Sequence, residues 1–535
     1  MPSQNSPASA FWLRVRAPLV LAVVSAIFTL TPQPCRATIA YRISLAHPEA
    51  HVFRVTMTVP AVSGQLTVQM PAWNATYMIR DFASHVQDVR ATGDRGKSLP
   101  VRKLDTATWQ IAGQGTITIS YATYWNESGP FAAQLNDEHA FLNLAMLLLY
   151  VPDHRSEDSV VALDDLPVTW LTASSLKPVA VGHLRGPVIR DPWGTNAADP
   201  VALFSAPNYD ALVDAPIECG IFHSFNLPTS GPPVHVVVHS DAWDEEALKD
   251  GLTHIVEYET QLMGGAPYPA YTFIFHIGTG NGGGMEHANS TAIGAGSTTA
   301  AIHTAAHEFF HLWNVKRIRP QSLEPIDYVH KMPTRALWFA EGVTNTYGSY
   351  TLVRTGLWTP DQFYADLAGA ITTLQSRPAR VWQSVEESSL DTWFDRYTLH
   401  GQPEFSISYY NKGQLDGLLL DILIRDATGN HRSLDDVLRA LNENFAKQHR
   451  FYNDSADIEA TVESVAGTSF KDFFTRYVSG TDELPYAEIL GKAGLRLSQS
   501  HNVHNNEDAY SVTEAPDASD KQRRIREGML RGKTD

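Results

Sequence analysis

Short runs of alternating hydrophobic and polar residues fill the first part of the chain, from Thr38 to about Ala211. The clearest runs are 51–59 and 115–121, and Pro, Gly, Asn and Asp separate one run from the next. A period of two residues turns one face of each strand toward a core, and short strands spaced in this way are typical of a sandwich. We therefore predict an N-terminal β-sandwich domain of mostly antiparallel strands over residues 38–213.

The pattern becomes mixed after residue 213 and helical after Thr299. Two runs, 234–239 and 271–277, predict strands, the second of them buried, and later segments repeat apolar residues at the spacing of a helix. The predicted helices are 244–263, 299–319, a segment from about Thr334, 360–376, 409–427, 433–446, 457–466 and 470–479. These elements predict a second, α+β domain over residues 214–490. The polar remainder, 491–535, is expected to be a disordered tail.

The N-terminus has the pattern of a secretory signal peptide. Arg14 and Arg16 precede an apolar run at 17–30, and Ala37 provides a small residue for cleavage. The run is shorter than the roughly 20 residues of a membrane span. We expect residues 1–37 to be removed during export to a bacterial periplasm or out of the cell, without stable membrane insertion afterwards; an uncleaved anchor is the alternative.

Composition and charge narrow the range of partners. The chain has 535 residues, 43% of them hydrophobic, and a net charge of −17, which argues against nucleic acids and anionic membrane surfaces. Cleavage after Ala37 removes Cys35 and three arginines, so the net charge becomes −20 and Cys219 is the only cysteine left. A single cysteine allows no intrachain disulfide and no cysteine-rich metal site. An exported protein without disulfides favours a bacterial envelope.

The segment His307-Glu308-Phe309-Phe310-His311 is the most informative for chemistry. Two histidines four residues apart lie one turn above each other on the same face of a helix, close enough to share one ion. Glu308 follows the first histidine and lies beside that ion without coordinating it, where a zinc hydrolase needs a base. The alternative is an amphipathic helix with two satisfied histidines, although chance gives only about 0.04 such motifs in a chain of this composition.

Glu341 is the expected third ligand. Catalytic zinc takes three protein ligands and keeps one position open, and two histidines with one glutamate are a recurring set. Apolar residues at 337–339 and 343 surround Glu341 in sequence, and an unpaired carboxylate is costly there. Asn345 lies one turn later on the same face, so it is predicted either to support a ligand histidine or to be an ordinary surface residue. These residues predict one zinc ion per chain.

A glycine-rich segment from Gly278 to Gly284 leads into Met285-Glu286. It lacks the lysine and the Ser/Thr of a phosphate-binding loop. Two interpretations remain: a strand edge kept bare so that another backbone can pair with it, or a flexible loop.

Taken together, these segments resemble the glycyl aminopeptidase family of gluzincin metallopeptidases over about residues 38–497. The resemblance rests on His307–Pro320, Gly283–His287, Leu337–Gly342, and Pro71-Ala72-Trp73 with Ile79-Arg80-Asp81-Phe82. It implies a thermolysin-like catalytic domain with a mixed sheet and a helical half after the β domain. Members usually carry a C-terminal PDZ domain, for which the residues after Leu497 are too few, so we expect that module to be missing. The β region also has Asn74-Ala75-Thr76 where the family has Pro-Gly.

The resemblance implies a role for each matching residue of the zinc helix. His307, His311 and Glu341 correspond to the zinc ligands of the family. Glu308 corresponds to the general base that takes a proton from the attacking water.

Two further matches concern the substrate. Gly283-Gly284-Met285-Glu286 corresponds to the substrate-edge motif of related aminopeptidases, in which the glutamate holds the free α-amino group. Tyr410, before Lys412-Gly413, corresponds to the tyrosine that stabilises the tetrahedral oxyanion. An exposed loop acid is the alternative interpretation of Glu286, and a core or surface tyrosine that of Tyr410.

The predicted function is therefore that of a zinc-dependent aminopeptidase acting on peptides, with small first residues, Gly or Ala, implied by the family. A zinc endopeptidase of the same fold, with Glu286 idle, is the first alternative. A non-catalytic peptide-binding envelope protein with structural zinc is the second, and Glu308 argues against it because a structural site needs no base. No oligomeric state is predicted.

Overall fold

The N-terminal region consists of two β-sheets. The computed structural model describes residues 38–74, 76–179, 202–278, 282–502 and 507–535, and the predicted signal peptide lies outside them. The strands of the larger sheet are β1 Ile39–Ser44, β2 Val52–Gln69, β3 Val86–Thr92, β4 Ser98–Leu99, β5 Val101–Lys103, β6 Thr108–Tyr124, β9 Ser159–Asp164, β11 Lys177–Pro178 and β12 Ala202–Ala206. The strands of the smaller sheet are β7 Gln134–Leu135, β8 His139–Leu142, β10 Leu171–Ser174 and β13 Ile217–Gly220.

The long antiparallel pair β2 and β6 forms the centre of the larger sheet, whose order is β11-β12-β9-β1-β2-β6-β3-β4 with β5 beside β6. Among the described strand pairs of this region, only β1 and β9 run parallel. Alternate residues of β1 are buried, and they pack with residues of both sheets in one apolar core. The predicted sandwich of mostly antiparallel strands is therefore confirmed. β13 pairs with β8 and β10, so the N-terminal region extends past the predicted limit at 213.

The second region contains a mixed sheet with the order β14-β15-β16-β18-β17. Its strands are β14 His223–Asn226, β15 Val234–His239, β16 Tyr271–Ile277, β17 Gly283–Glu286 and β18 Ser290–Ala295. The three inner strands are parallel, and the two outer ones are antiparallel to their neighbours. Every residue of β16 is buried, as expected for a strand covered on both faces. This sheet confirms the mixed sheet implied by the resemblance.

The described helices lie in both regions: the first two precede this sheet in the chain, and the others lie between its strands or after them. They are α1 Leu144–Leu147, α2 Tyr209–Val213, α3 Glu245–Leu262, α4 Thr298–Phe310, a π-helix Trp338–Val343, α5 Thr344–Thr355, α6 Pro360–Gln375, α7 Val385–Asp391, α8 Tyr409–Ala427, α9 Leu434–Asn444, α10 Asp454–Ala466, α11 Lys471–Phe473, a second π-helix Phe474–Val478, α12 Tyr486–Lys492 and α13 Asp520–Arg531. The predicted start of α9 is confirmed, because the backbone N–H of Ser433 donates to Asp436 at 2.9 Å. No helix within the described ranges combines the length and apolar character that crossing a membrane requires.

The C-terminal segment is folded, so the expectation of a disordered tail is wrong for its described part. Strands β19 Leu495–Asn502 and β20 Glu507–Glu514 form an antiparallel hairpin, and the N–H of Tyr510 donates to Thr372 of α6 at 3.1 Å. In α13, Ile525 and Met529 are fully buried. These residues are four apart and form one apolar stripe in a helix whose other residues are mostly charged. Because most of the neighbouring residues are charged, the sequence pattern alone does not indicate that these two residues are buried.

Candidate metal centre and active site

Helix α4 presents both histidines of the HExxH motif to one point. Ser297 caps its N-terminus by accepting the N–H of Ala300. The helix ends at Phe310, well before the predicted end at 319, but His311 keeps helical dihedral angles at the C-cap. The Nε2 atoms of His307 and His311 are therefore 2.9 Å apart, and their rings are nearly perpendicular.

Glu341 approaches the two histidines from the π-helix Trp338–Val343. Its Oε2 atom lies 3.2 Å from Nε2 of His311 and 3.5 Å from Nε2 of His307. A π-helical turn is uncommon and is frequent at functional sites. Here it packs backbone to backbone against α8, because a Cβ atom on Gly342 would overlap Gly413. This contact also brings the first turn of α8 to the site.

The three predicted ligands fit a tetrahedral zinc ion. Metal–ligand bonds of about 2.0–2.1 Å separate tetrahedral ligand atoms by about 3.3 Å, and the three separations here are 2.9, 3.2 and 3.5 Å. Burial opposes a charge on His311, but Glu341, Glu286 and Glu308 outweigh it and raise the pKa of His311 to about 10. The surrounding carboxylates thus favour a cation at this position, and a divalent metal ion would provide it.

Glu308 is buried beside this centre. Its Oε2 atom has no hydrogen-bond partner in the part of the chain that the structure describes. Burial, then the charges of Glu286 and Glu341, raise the pKa of Glu308 to about 8, although His311 opposes the shift. A carboxylate with such a raised pKa can accept and return a proton near neutral pH. The side chain lies directly on Gly284, where any Cβ atom would overlap it. Glycine is therefore required at position 284, because the Glu308 side chain packs directly against the backbone there.

The substrate-edge motif forms β17, the edge strand of the mixed sheet. Of the two predicted interpretations of Gly283–Glu286, the strand edge is therefore correct and the flexible loop is wrong. Glu286 is 8% exposed, so it is not an exposed loop acid, and burial and Glu341 raise its pKa while His311 opposes the shift. Ligand-type atoms of Glu286, Glu308 and His311 lie within 4.8 Å of one another. Met285 turns inward, where its sulfur accepts a hydrogen bond from Asn143 at 3.6 Å.

Tyr410 also reaches the site. It lies in the first turn of α8, where Ser408 caps the helix by accepting the N–H of Asn411. Its ring centre is 6.3 Å from that of His307, and it lines the same cleft of about 450 Å³ as the predicted ligands and Glu286. Desolvation in the cleft, then the charge of Glu341, raise the pKa of its hydroxyl. The hydroxyl therefore stays protonated and can donate a hydrogen bond.

Asn314 supports the ligands more directly than the predicted Asn345. Nδ1 of His311 lies 2.6 Å from the backbone oxygen of Asn314, and the Asn314 amide donates to the carbonyl of Phe339 at 2.8 Å. Asn345 lies near His307 and favours its protonation, but burial and His311 dominate and lower the pKa of His307. Nδ1 of His307 has no partner that meets hydrogen-bond geometry among the described residues.

Two residues of the site, Asn314 and Tyr77, were not predicted as site residues from the sequence. Tyr77 lines the cleft. The only signal for Asn314 was its position three residues after a ligand, where the helix ends. Tyr77 had no local signal, since it belongs to a loop of the N-terminal region.

The family comparisons agree with this geometry. A family model described as M61 glycyl aminopeptidase matches residues 300–415, and the model of the peptidase M61 N-terminal domain matches residues 40–221. The chain belongs to the M61 glycyl aminopeptidase family. The M61 chain is accordingly a metallopeptidase, and zinc-dependent aminopeptidase activity is the general function supported by the family.

Solved structures similar to this M61 chain include an aminopeptidase N family protein from Idiomarina loihiensis, which is 25% identical with a TM-score of 0.80 over 88% of this chain and 80% of that one. An M1 zinc metallopeptidase from Deinococcus radiodurans is 13% identical with a TM-score of 0.50 over 84% of this chain and 95% of that one, which shows the shared fold alone. No curated protein sequence matches the chain.

Proposed function

We propose that this M61 chain is a zinc aminopeptidase that removes the first residue of peptides, preferably Gly or Ala. His307, His311 and Glu341 would hold one zinc ion, which supplies Lewis acidity for a peptide carbonyl and for water when bound. The observation that carries the proposal is the buried Glu286 within 4.8 Å of Glu308 and His311. A carboxylate in this position binds the ammonium group of a free N-terminus and leaves little room for a preceding residue.

Each step of hydrolysis has a residue of this chain to perform it. Glu308 accepts a proton from the attacking water and delivers it to the leaving amine. The Tyr410 hydroxyl donates a hydrogen bond to the oxyanion that forms at the scissile carbonyl. Glu286 fixes the α-amino group, so that the first peptide bond is the one that faces Glu308.

A pair of matched substrates tests this function. The zinc-loaded protein should hydrolyse alanyl-4-nitroanilide and should leave its N-acetylated form intact, because acetylation removes the ammonium group that pairs with Glu286. Equal rates on both substrates would instead favour the endopeptidase. No hydrolysis of any peptide, with zinc bound, would favour the non-catalytic peptide-binding protein.

The role of Glu308 is tested by Glu308→Gln. We expect turnover to be lost while the zinc content, measured by mass spectrometry, stays at that of the wild type. Retained turnover in this variant would refute the general-base role.

Export is a second part of the proposal. The predicted signal peptide at residues 1–37 supports a periplasmic or secreted location. N-terminal sequencing of the protein from fractionated cells should find a mature chain that begins after Ala37, whereas a full-length cytoplasmic chain would contradict export.

A further inference from the structure

A loop from the N-terminal region enters the cleft beside the metal centre. This tyrosine loop, residues 71–74 and 76–81, is closed on itself, because the N–H groups of Arg80 and Asp81 both donate to the carbonyl of Ala72. It is also tied to the catalytic region. The N–H of Ala72 donates to the carbonyl of Tyr328 at 2.7 Å, and the indole of Trp73 donates to the carbonyl of Asp327 at 2.7 Å.

Tyr77 lies within this loop and is held in a backbone conformation that side chains disfavour. Its φ angle is +50°, in the left-handed region where residues with a Cβ atom are strained. The ring is nevertheless buried, with 6% exposed. Tyr77 lines the cleft together with Glu341 and Glu286, and burial, then the charges of these two carboxylates, raise the pKa of its hydroxyl.

A second cavity, a chamber of about 320 Å³, is also lined by Tyr77. Tyr77, Met285 and Glu286 line both this chamber and the cleft, so the two spaces adjoin at these three residues. Two residues that line the chamber, Asn74 and His287, have buried nitrogens, Nδ2 and Nε2, without a hydrogen-bond partner among the described residues.

We propose that Tyr77 determines specificity by closing the chamber to the side chain of the substrate's first residue. This inference rests on the proposed function. When Glu286 holds the α-amino group and the first carbonyl faces Glu308, the Cα atom of the first residue lies between them, next to Tyr77. With the ring in place, only a small side chain fits; without it, the cleft and chamber join and a longer side chain can enter.

The variant Tyr77→Gly tests this inference, because glycine removes the ring and accepts the positive φ angle without strain. The measurement is kcat/KM for glycyl, alanyl, leucyl and glutaminyl anilides. In the wild type, the alanyl substrate should be preferred. In Tyr77→Gly, the leucyl-to-alanyl and glutaminyl-to-alanyl ratios should each rise at least tenfold, within the range by which a pocket discriminates such side chains.

Two control variants separate the ring's bulk from other effects. Tyr77→Phe keeps the bulk and should stay within about threefold of the wild-type ratios, since discrimination follows pocket volume. Ile326→Ala enlarges the chamber at a residue that does not line the cleft, so it should leave the ratios unchanged. Tyr77→Ala is a second variant that removes the ring. A melting curve for each variant shows whether a loss of fold explains the result.

The possible outcomes are distinct. Unchanged ratios in a folded, active Tyr77→Gly protein would overturn the inference and leave the proposed function intact. A wild type that prefers leucyl or glutaminyl substrates would overturn it as well. A zinc-loaded wild type without activity on any free-amine anilide would overturn the proposed function, and the role of Tyr77 with it.

Discussion

Nδ1 of His311 lies 2.6 Å from the backbone carbonyl oxygen of Asn314. A carbonyl can only accept, so Nδ1 carries a proton, and in the neutral ring that binds a metal ion the lone pair lies on Nε2, which is directed to the predicted metal position. The Asn314 amide in turn donates to the carbonyl of Phe339 and to the hydroxyl of Thr344. The turn after α4 is thereby joined to the segment that carries Glu341, and the two halves of the metal site are held together.

Asn314→Ala should weaken metal binding 10- to 100-fold, the range typical for loss of a residue that orients a ligand. The variant loses both amide hydrogen bonds and loosens the turn that positions His311. Zinc affinity is measured by competition with a chelator. Asn345→Ala is the matched control and should lose less, and the reverse order would contradict the role assigned to Asn314.

Gly284→Ala should lower kcat/KM at least 100-fold while zinc stays bound. A Cβ atom at this position overlaps the Glu308 side chain, and a displacement of about 1 Å at a reacting group costs about that factor. Gly296→Ala is the control, because a Cβ atom there meets no other atom within 4 Å. Similar activity in both variants would show that Glu308 tolerates displacement.

Tyr410→Phe should lower kcat by about 10²–10³-fold with little change in KM, as expected for one lost oxyanion donor. Tyr409→Phe is the control, because the Tyr409 hydroxyl forms a hydrogen bond with the Thr392 hydroxyl at 3.2 Å and is not the predicted oxyanion donor. A loss that appears in KM alone, or an equal loss in Tyr409→Phe, would argue against Tyr410 as the donor. Steady-state kinetics with alanyl-4-nitroanilide distinguish these cases.

Glu218 should make the stability of the protein depend on acid pH. Nε2 of His276 lies 2.9 Å and Nδ1 of His139 3.0 Å from its carboxylate. Burial opposes ionisation, but these two histidines outweigh it and lower the pKa of Glu218 to about 2. The stability that Glu218 contributes is therefore complete above its unfolded pKa of about 4.3. It is lost as the pH falls toward 2, because the unfolded chain binds the proton first.

Glu218→Gln tests this dependence. The substitution should lower the free energy of unfolding by about 2 kcal/mol at pH 7, as for a lost buried partner, and the difference from the wild type should shrink between about pH 5 and pH 3. Denaturant titrations at several pH values provide the measurement. The exposed Glu488, replaced by Gln, should change stability by less than about 0.5 kcal/mol. A pH-independent difference would contradict the pairing.

His239 extends this histidine cluster, and with His139 and Glu218 it forms a second group of metal-ligand type. The rings of His139 and His239 are stacked, with centres 4.4 Å apart and planes 17° from parallel. In-plane lone pairs of stacked rings do not converge on one ion. The hydrogen bonds of Glu218 with His276 and His139 instead join β13 to β16 and β8.

The sequence alone predicted the features that depend on residues close to one another in the chain. The four-residue spacing of His307 and His311 places both on one face of any helix, so the paired ligands were predictable without tertiary information. The strands at 234–239 and 271–277 and the helix at 409–427 were also predicted at their observed bounds, because apolar spacing and caps act within a few residues. Glu308 follows from the same turn of helix.

Tertiary packing decided which distant residues complete the site. Glu341 and Tyr410 meet the histidines because Gly342 and Gly413 let two helical segments touch along their backbones, and nothing within either segment encodes that distance. Tyr77 arrives from another region altogether. The burial of the C-terminal segment likewise depends on its partners, α5, α6 and α8. Convergence of separate segments depends on shape complementarity over the whole core, which no periodicity in the chain reveals.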